Sequence, residues 1–217
     1  MIKVENIEVW GFEHAIRGMR NPLNSWDRSD SGYGLLTNDL DSFDIGKNDL
    51  DLMKRLFNAG TEHRKYLRQI FVSMDIVAPL YWWKEADTYK VGTTSNSCST
   101  MHKIHAKEFT LDDFSTEHLT EYSVEQLESL IGWLNMCRVN YNLDKEKEYW
   151  WQMIQLLPSS YNQKRTVTMN YENVFSIIKQ RSGHKLDEWN EFVKILKTLP
   201  YVMEIGGMND KGGNEDE

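Results

Sequence analysis

The segment APLYWWKEADTYKVGTTSNSCSTMHKI, residues 78–104, contains the densest group of polar side chains in the chain. A strand pattern ends at Pro79, helical spacing follows over LYWWKEADTYK, and a run rich in Ser and Thr comes next. Hydroxyls and backbone amides in such a turn suit phosphate oxygens, and Lys84 and Lys90 add positive charge. The segment therefore predicts either a binding pocket or an ordinary polar surface loop, and composition alone favours the loop.

The sequence before this segment predicts two strands and two helices. MIKVENIEVW alternates like a half-buried strand, and FEHAIRGMR is typical of a short helix that ends before Pro22. Residues 21–46 favour a packed, irregular loop. A helix is predicted over 48–59, with Asn48 as its N-cap and Gly60 at its end. QIFVSMDIVAP then reads as a strand that turns alternate residues inward, namely Ile70, Val72, Met74 and Ile76.

The second half predicts mainly helices. Ser123 and Gln126 form a capping box for a helix over 124–141, and a second helix covers 145–157. KRTVTMN is a short strand, and NYENVFSIIKQR and LDEWNEFVKILKTL are helices. The pattern predicts an α+β fold, with helices packed on a small mixed or antiparallel sheet in a single domain over 1–205. Residues 206–217 are predicted to be a disordered acidic tail.

Composition limits the classes of partner. The 217 residues suit one domain, no apolar run is long enough to span a membrane, and the net charge of -8 disfavours a nucleic-acid polymer. A mononucleotide is still compatible, because one phosphate needs only a few donors inside a pocket. Two cysteines, Cys98 and Cys137, are too few for a disulfide framework, so we expect a cytoplasmic protein.

Cys98 allows three interpretations. With His102 and His105 it could bind zinc, but no second Cys/His pair with metal-ligand spacing is present. As a thiolate it could attack an electron-poor ring carbon such as position 6 of a pyrimidine. A lone Cys is more often a small buried hydrophobe.

The tryptophan pairs and Arg181 also allow more than one role. Trp82–Trp83 and Trp150–Trp151 could stack on a flat ring, but neighbours on a helix point about 100° apart, so at most one of each pair should face a given pocket. Core packing is the commoner role. Arg181 ends a predicted helix and is either a partner for the helix dipole or a phosphate ligand.

Two separated segments resemble the flavin-dependent thymidylate synthases. Residues 78–104 align without a gap to the segment that bears the family signature RHRxxSxNExSxR. Residues 156–189 resemble a later block that contains a Leu-Pro, a strand leading to Thr-x-Asn, and a helix ending in Arg before a His-containing turn. The signature positions are Thr88, Tyr89, Lys90, Thr93, Ser95, Asn96, Cys98 and Thr100, and the later block matches at Leu157, Pro158, Thr168, Asn170, Arg181 and His184.

Several arginines of the family pattern are replaced in this chain. Thr88 stands at the first Arg of the signature, Thr100 at its last, and Ile154 at the Arg upstream of the Leu-Pro. Glu172 stands at an Arg that the family links to the flavin. Each charged hydrogen bond contributes on the order of 1.5–3 kcal/mol, so these losses weaken dUMP binding unless Lys84, Lys90 or Arg165 compensates.

The resemblance implies a homotetrameric enzyme that binds FAD, with sites where subunits meet. In such an enzyme NADPH reduces the flavin, which drives reductive methylation of dUMP to dTMP with methylenetetrahydrofolate. The alternatives are a flavin enzyme that modifies another nucleotide and a non-catalytic flavin- or nucleotide-binding homologue.

The resemblance also assigns residues to roles. Cys98 would position the pyrimidine, and Arg181 would hold the phosphate; these two are the predicted catalytic residues. The predicted FAD-binding residues are Thr88, Tyr89, Lys90, Ser95, Asn170 and His184. The predicted nucleotide-binding residues are Glu85, Asn96, Cys98, Ser99, Thr100 and Arg181.

Overall fold

The computed structural model describes residues 1–35 and 42–208. Its strands are β1 (Lys3–Trp10), β2 (Gly32–Tyr33), β3 (Phe43–Asp44), β4 (Phe71–Pro79), β5 (Thr93–Ser97) and β6 (Asn162–Asn170). Its α-helices are α1 (Phe12–Arg20), α2 (Lys47–Asn58), α3 (Leu80–Ala86), α4 (Glu121–Asp144), α5 (Lys147–Leu156), α6 (Tyr171–Arg181), α7 (Asp187–Lys197) and α8 (Val202–Gly206).

The sheet is small and the helices dominate, so the α+β prediction is confirmed. Four strands pair in the order β1-β4-β6-β5, and the two short strands β2 and β3 form a separate antiparallel pair. In β4 the alternation predicted from the sequence is confirmed, because Ile70 and every second residue after it to Ala78 are buried. Inward apolar residues on alternate positions are what a strand needs to cover a core on one face.

The chain folds into two compact units. The first comprises Met1–Glu5, Asp75–Lys90 and Ser95–Val167. The second comprises Val91–Thr94 and the described residues of 6–74 and 168–208. Of the predicted tail, Gly206 ends α8 and 209–217 lie outside the described residues.

The first unit is built on the hairpin of α4 and α5. Leu127, Ile131, Leu134 and Cys137 from α4 pack with Met153 from α5 and with apolar residues of the preceding loops. Burial raises the pKa of the Cys137 thiol, as expected for a cysteine that acts as a small hydrophobe. Within the described ranges, none of the helices combines the length and apolar character of a bilayer span.

Some predicted element boundaries were wrong. The capping box at Ser123 is displaced, because α4 begins three residues earlier and Thr120 accepts the N-cap hydrogen bond from the Ser123 amide. The Ser/Thr-rich run after α3 contains strand β5 rather than only a turn. The cap of α4 is a nearby residue of similar capping ability, whereas β5 forms because it pairs with β6, which is distant in sequence.

The predicted N-cap at Asn48 is also wrong. Helix α2 begins at Lys47, and the Asp30 carboxylate accepts hydrogen bonds from the amides of Asn48 and Asp49 at 2.9 and 3.1 Å. A Cβ at Gly46 would lie 2.3 Å from the Asp30 carboxyl carbon, so the glycine permits this cap. The loop before α2 therefore supplies the cap that the helix lacks.

Asp49 organises the second unit around a buried ion pair. Its Oδ1 lies 2.6 Å from Nε of Arg20, and its Oδ2 accepts hydrogen bonds from the hydroxyls of Ser29 and Ser31, both at 2.7 Å. Burial acts to raise the pKa of Asp49, but the hydrogen bonds from Ser31, Ser29 and Arg20 outweigh it and the pKa lies below its usual value. The ionised carboxylate thus joins α1, α2 and the intervening loop.

We expect Asp49→Asn to destabilise the protein at pH 7 by about 3–5 kcal/mol, because it leaves Arg20 buried beside a neutral group. The folded-state pKa of Asp49 is lowered, so its stabilisation is full above the unfolded pKa of about 4 and is lost as the pH falls through the folded value. Urea unfolding at several pH values measures this, and the difference between wild type and variant should shrink in acid. The exposed Asp27→Asn is the control, and an equal cost for both substitutions would refute the role of Asp49.

Candidate functional site

Helix α3 and strand β5 carry the signature segment. Trp82 and Trp83 are both buried in the first unit, at 1% and 3% exposure, and Nε1 of Trp83 donates to the Gln163 carbonyl at 3.0 Å. Neither ring of this pair is available to stack on a ligand, so core packing is their role. Beyond α3, β5 is an edge strand beside β6, and Thr94 to Ser97 are exposed.

Cys98 lies at the exposed end of β5. Its amide donates to the Lys164 carbonyl at 2.9 Å, and its own carbonyl accepts from Nε2 of Gln163 at 2.7 Å. The thiol is exposed, which excludes the buried-hydrophobe interpretation for this cysteine. Backbone pairing on both sides of the residue therefore holds the Cys98 thiol at the surface of the first unit.

Two predicted ligand hydroxyls already serve local turns. The Ser99 hydroxyl accepts from the amides of Met101 and His102 at 3.2 and 2.8 Å. The Thr88 hydroxyl donates to the Glu85 carbonyl at 2.7 Å after the end of α3. These bonds shape the backbone on either side of β5, so each hydroxyl keeps only its remaining hydrogen-bonding capacity for a ligand.

The two sequence blocks meet in the second unit. Nδ2 of Asn173, in the first turn of α6, donates to the Val91 carbonyl at 2.8 Å and to the Thr93 hydroxyl at 2.6 Å. Asn170 caps the same helix by accepting from the Asn173 amide at 3.1 Å. Gly92 has φ +76°, and a Cβ there would lie 2.4 Å from Nδ2 of Asn170. Hydrogen bonds and close packing thus hold the start of α6, which belongs to the later block, against the turn that precedes β5.

Arg181 ends α6 in an aromatic environment. Its Nη1 lies 3.1 Å from Nε2 of His184, and its guanidinium stacks on the buried Trp189 ring, 4.6 Å from the centroid. His184 is held in turn, since Nδ1 accepts from the Leu186 amide at 3.1 Å. The predicted site residues Arg181 and His184 therefore lie together, half-buried, in the second unit. Trp189 joins them, although the sequence had not singled it out.

The three cations proposed to compensate for the lost arginines differ in whether another side chain already contacts them. Arg165 pairs with Asp87 at 2.7 Å and stacks on Trp83, 4.2 Å from the ring centroid. These contacts commit its guanidinium to the structure of the first unit. Lys84 and Lys90 are exposed and have no ion-pair partner among the described residues. Of the three cations proposed to compensate for the lost arginines, the two lysines are the ones available.

Arg64 is a cation that the sequence analysis missed. Its Nη2 lies 2.8 Å from Oε1 of Glu172, which stands where the family pattern has Arg, and its guanidinium lies 5.2 Å from the centroid of the Phe57 ring. Nε of Arg64 and Oε2 of Glu172 are buried without a hydrogen-bond partner in the described part of the chain. Glu172, at a position where the family has Arg, could have indicated this cation from the sequence, because a half-buried carboxylate needs a cation nearby.

His102 and His105 line a cavity of about 450 Å³ in the first unit, which Cys98 does not line. Trp150 and Trp151 both line it, contrary to the expectation of one ring per pocket, since their rings meet edge to face at 4.8 Å. No group of three or more His, Cys, Asp or Glu side chains within residues 1–35 and 42–208 is arranged to hold a metal ion. The zinc interpretation therefore has no support in this part of the chain.

We expect Cys98 to react with iodoacetamide in the folded protein while Cys137 does not, because only the Cys98 thiol is exposed. Peptide mass spectrometry locates the adduct. Cys98→Ser should leave the native protein unlabelled, and unfolding in guanidinium should expose both cysteines of the wild type. Alkylation of Cys137 as fast as Cys98 under native conditions would contradict the structure.

No protein-family model matches the chain, and no curated protein matches its sequence. Two solved structures of thymidylate synthase X (ThyX) from Helicobacter pylori, both with FAD and dUMP, are similar to it with a TM-score of 0.66. The first is 17% identical, and the alignment covers 94% of this chain and 96% of that chain. The second is 16% identical, and the alignment covers 93% of this chain and 96% of that chain.

A third similar structure is the UMP/dUMP methylase PolB from Streptomyces cacaoi, bound with 5-Br dUMP. It is 12% identical, with 91% of this chain and 89% of that chain covered and a TM-score of 0.61. At such identities the likeness establishes the fold and leaves the reaction to be argued from the site. The resemblance noted in the sequence is confirmed at this level: the chain has a divergent form of the flavin-dependent thymidylate synthase fold.

Proposed function

We propose that the chain is a flavin-dependent enzyme that converts dUMP to dTMP by reductive methylation, with methylenetetrahydrofolate and NADPH as co-substrates. The observation that carries the proposal is the double hydrogen bond of Asn173 to Val91 and Thr93. It joins the two sequence blocks that resemble the family, although they are about eighty residues apart in the chain. The fold shared with two ThyX structures that contain FAD and dUMP supports the same conclusion.

The residues present fit an anionic, planar cofactor such as FAD. Lys90 is exposed next to Tyr89, and the orphaned Nε of Arg64 is a buried donor without a partner among the described residues. When bound, FAD supplies the hydride for the reduction. The residues that would hold it are Thr88, Tyr89, Lys90, Ser95, Asn170 and His184, and we add Arg64 to this set.

Arg181 is the best candidate to hold the nucleotide phosphate. Stacking on Trp189 restricts the guanidinium, so little side-chain entropy is lost when it binds an anion. Charged hydrogen bonds to phosphate are the strong kind that such a site needs. The other residues proposed for the nucleotide are Glu85, Asn96, Cys98, Ser99 and Thr100.

We assign Cys98 the role of positioning the pyrimidine. The thiol is exposed at the end of β5, and both backbone groups of the residue are hydrogen-bonded, so its location is well defined. A thiol is a weak donor and acceptor that can contact a ring edge. This role asks less of Cys98 than attack on the ring does, since no base is needed to generate a thiolate.

The chain is proposed to work as a homotetramer. Strand β5 is at the edge of the sheet, and most of its side chains are exposed. Proteins usually cover or blunt such an edge, and a second subunit is one way to cover it.

The proposed location of the protein is the cytoplasm. The two free cysteines fit this location, because thiols stay reduced there.

A second candidate substrate is another uridine nucleotide. Thr100 and Ile154 replace arginines, and Arg165 is engaged with Asp87, so the phosphate contacts differ from the family pattern. The similar PolB structure is a UMP/dUMP methylase, which supports testing both nucleotides. The 2′-hydroxyl distinguishes the two.

The decisive experiment supplies FAD, NADPH and methylenetetrahydrofolate and follows tritium release from position 5 of labelled dUMP and, separately, of labelled UMP. We expect release from dUMP, at least a tenfold loss in Arg181→Gln, and little change in the control Arg68→Gln. Arg68 is exposed and has no part in the proposed site. Release from UMP alone would favour the second candidate. No release from either, in protein that gains no flavin absorbance with added FAD, would refute both.

We expect Arg64→Gln to weaken FAD binding by about tenfold or more, because one charged hydrogen bond exceeds the 1.4 kcal/mol that a factor of ten requires. Fluorescence titration of FAD measures the affinity, with Arg68→Gln as control. The substitution also leaves the Glu172 carboxylate without its cation, so Arg64→Gln is repeated in a Glu172→Gln background that removes this charge. Recovery of both stability and affinity in the double variant would show that Arg64 serves only the ion pair.

A further inference from the structure

A positively charged cavity lies on the second unit, formed by residues outside the proposed site. Its volume is about 670 Å³, and it is lined by Arg20, Arg28, Asn48, Asp51, Lys54 and Arg55. Four of these six side chains are cationic and one is anionic, and the buried Asp49 carboxylate pairs with Arg20, so cations still outnumber carboxylates in a chain whose net charge is -8. A local excess of positive charge in an acidic protein indicates a place where an anion is favoured.

Arg20 provides a rigid donor in this cavity. The side chain is only 4% exposed, its Nε bonds to Asp49 at 2.6 Å, and its Nη1 donates to the Ser25 carbonyl at 3.1 Å. These bonds hold the guanidinium plane and leave Nη2 as the remaining donor group. A pre-organised guanidinium binds phosphate with little further loss of side-chain entropy.

Helix α2 and the 3₁₀ turn Trp26–Arg28 supply the other cations. Lys54 and Arg55 lie on α2, and Nε of Arg55 donates to the Asp51 carbonyl at 3.4 Å. Arg28 closes the 3₁₀ turn. Arg28 and Lys54 have no carboxylate partner among the residues that the structure describes. The cavity therefore offers two uncommitted cations beside the fixed Arg20.

We propose that this cavity binds a small molecule through a phosphate or pyrophosphate group. Several cations around one cavity match the multiple negative charges of such a group, whereas a carboxylate carries one. The volume lies in the usual range of ligand pockets and exceeds what a phosphate alone fills, so a nucleoside phosphate can be accommodated. The site shares no residue with those proposed for FAD and dUMP, and it would make the protein responsive to a second phosphorylated compound.

Isothermal titration calorimetry of the full chain with inorganic pyrophosphate and, separately, with adenosine diphosphate tests the site. We expect saturable binding that weakens at least tenfold in the double variant Arg28→Gln, Lys54→Gln. The matched control Lys65→Gln, Arg68→Gln removes one Lys and one Arg from exposed positions and should change affinity less than about twofold. Tighter binding of the nucleotide than of pyrophosphate would identify a nucleoside phosphate as the ligand class, and the reverse would identify a simple phosphate.

Three outcomes would overturn the proposal. They are no saturable binding of either probe to wild type, equal weakening in the two double variants, and loss of binding in Arg181→Gln but not in Arg28→Gln, Lys54→Gln. The last outcome would assign the binding to the nucleotide residues instead. Circular dichroism verifies that each variant is folded, and if the double variant is not, the single variant Lys54→Gln takes its place with a smaller expected loss of about threefold or more.

Discussion

The carboxamide of Asn173 is the contact on which the candidate site depends. Two hydrogen bonds from its Nδ2 bind the first turn of α6 to the turn before β5. This approach is close because Gly92 has no Cβ and adopts a positive φ, while Asn170 caps the helix from the same place. The backbone of the turn before β5 is thus held in place by side-chain amides and not by apolar packing alone.

The electrostatics of the chain are rearranged relative to the family pattern rather than simply weakened. Glu172 stands at a family Arg and forms an ion pair with Arg64, which another part of the second unit contributes. Of the three cations proposed to replace the lost arginines, Arg165 is engaged with Asp87, whereas Lys84 and Lys90 are exposed. Binding of an anionic ligand therefore depends on the cations that have no ion-pair partner in the portion of the chain that the structure describes, and not on the signature positions alone.

Prediction from the sequence was most successful where one physical pattern dominated. The alternation in β4 and the helical repeat in α6 and α7 reflect burial on one side of an element, and each lies where it was predicted. Prediction failed at Asn48, because the cap of α2 comes from Asp30 in the preceding loop and not from a residue next to the helix. It failed at Ser123, because the nearby Thr120 can cap α4 equally well. The site residues were named from resemblance, and composition alone favoured a surface loop.

By itself the sequence determined the α+β class, the order of most elements and the two blocks that carry the resemblance, because these depend on periodicity and on residue identity along the chain. Only the tertiary structure decided that Cys98 is exposed while Cys137 is buried, that Arg64 faces Glu172, and that four cations share one cavity. Those facts depend on which side chains, distant in sequence, approach within a few ångströms. Charge and burial act through space, so a linear pattern cannot specify them.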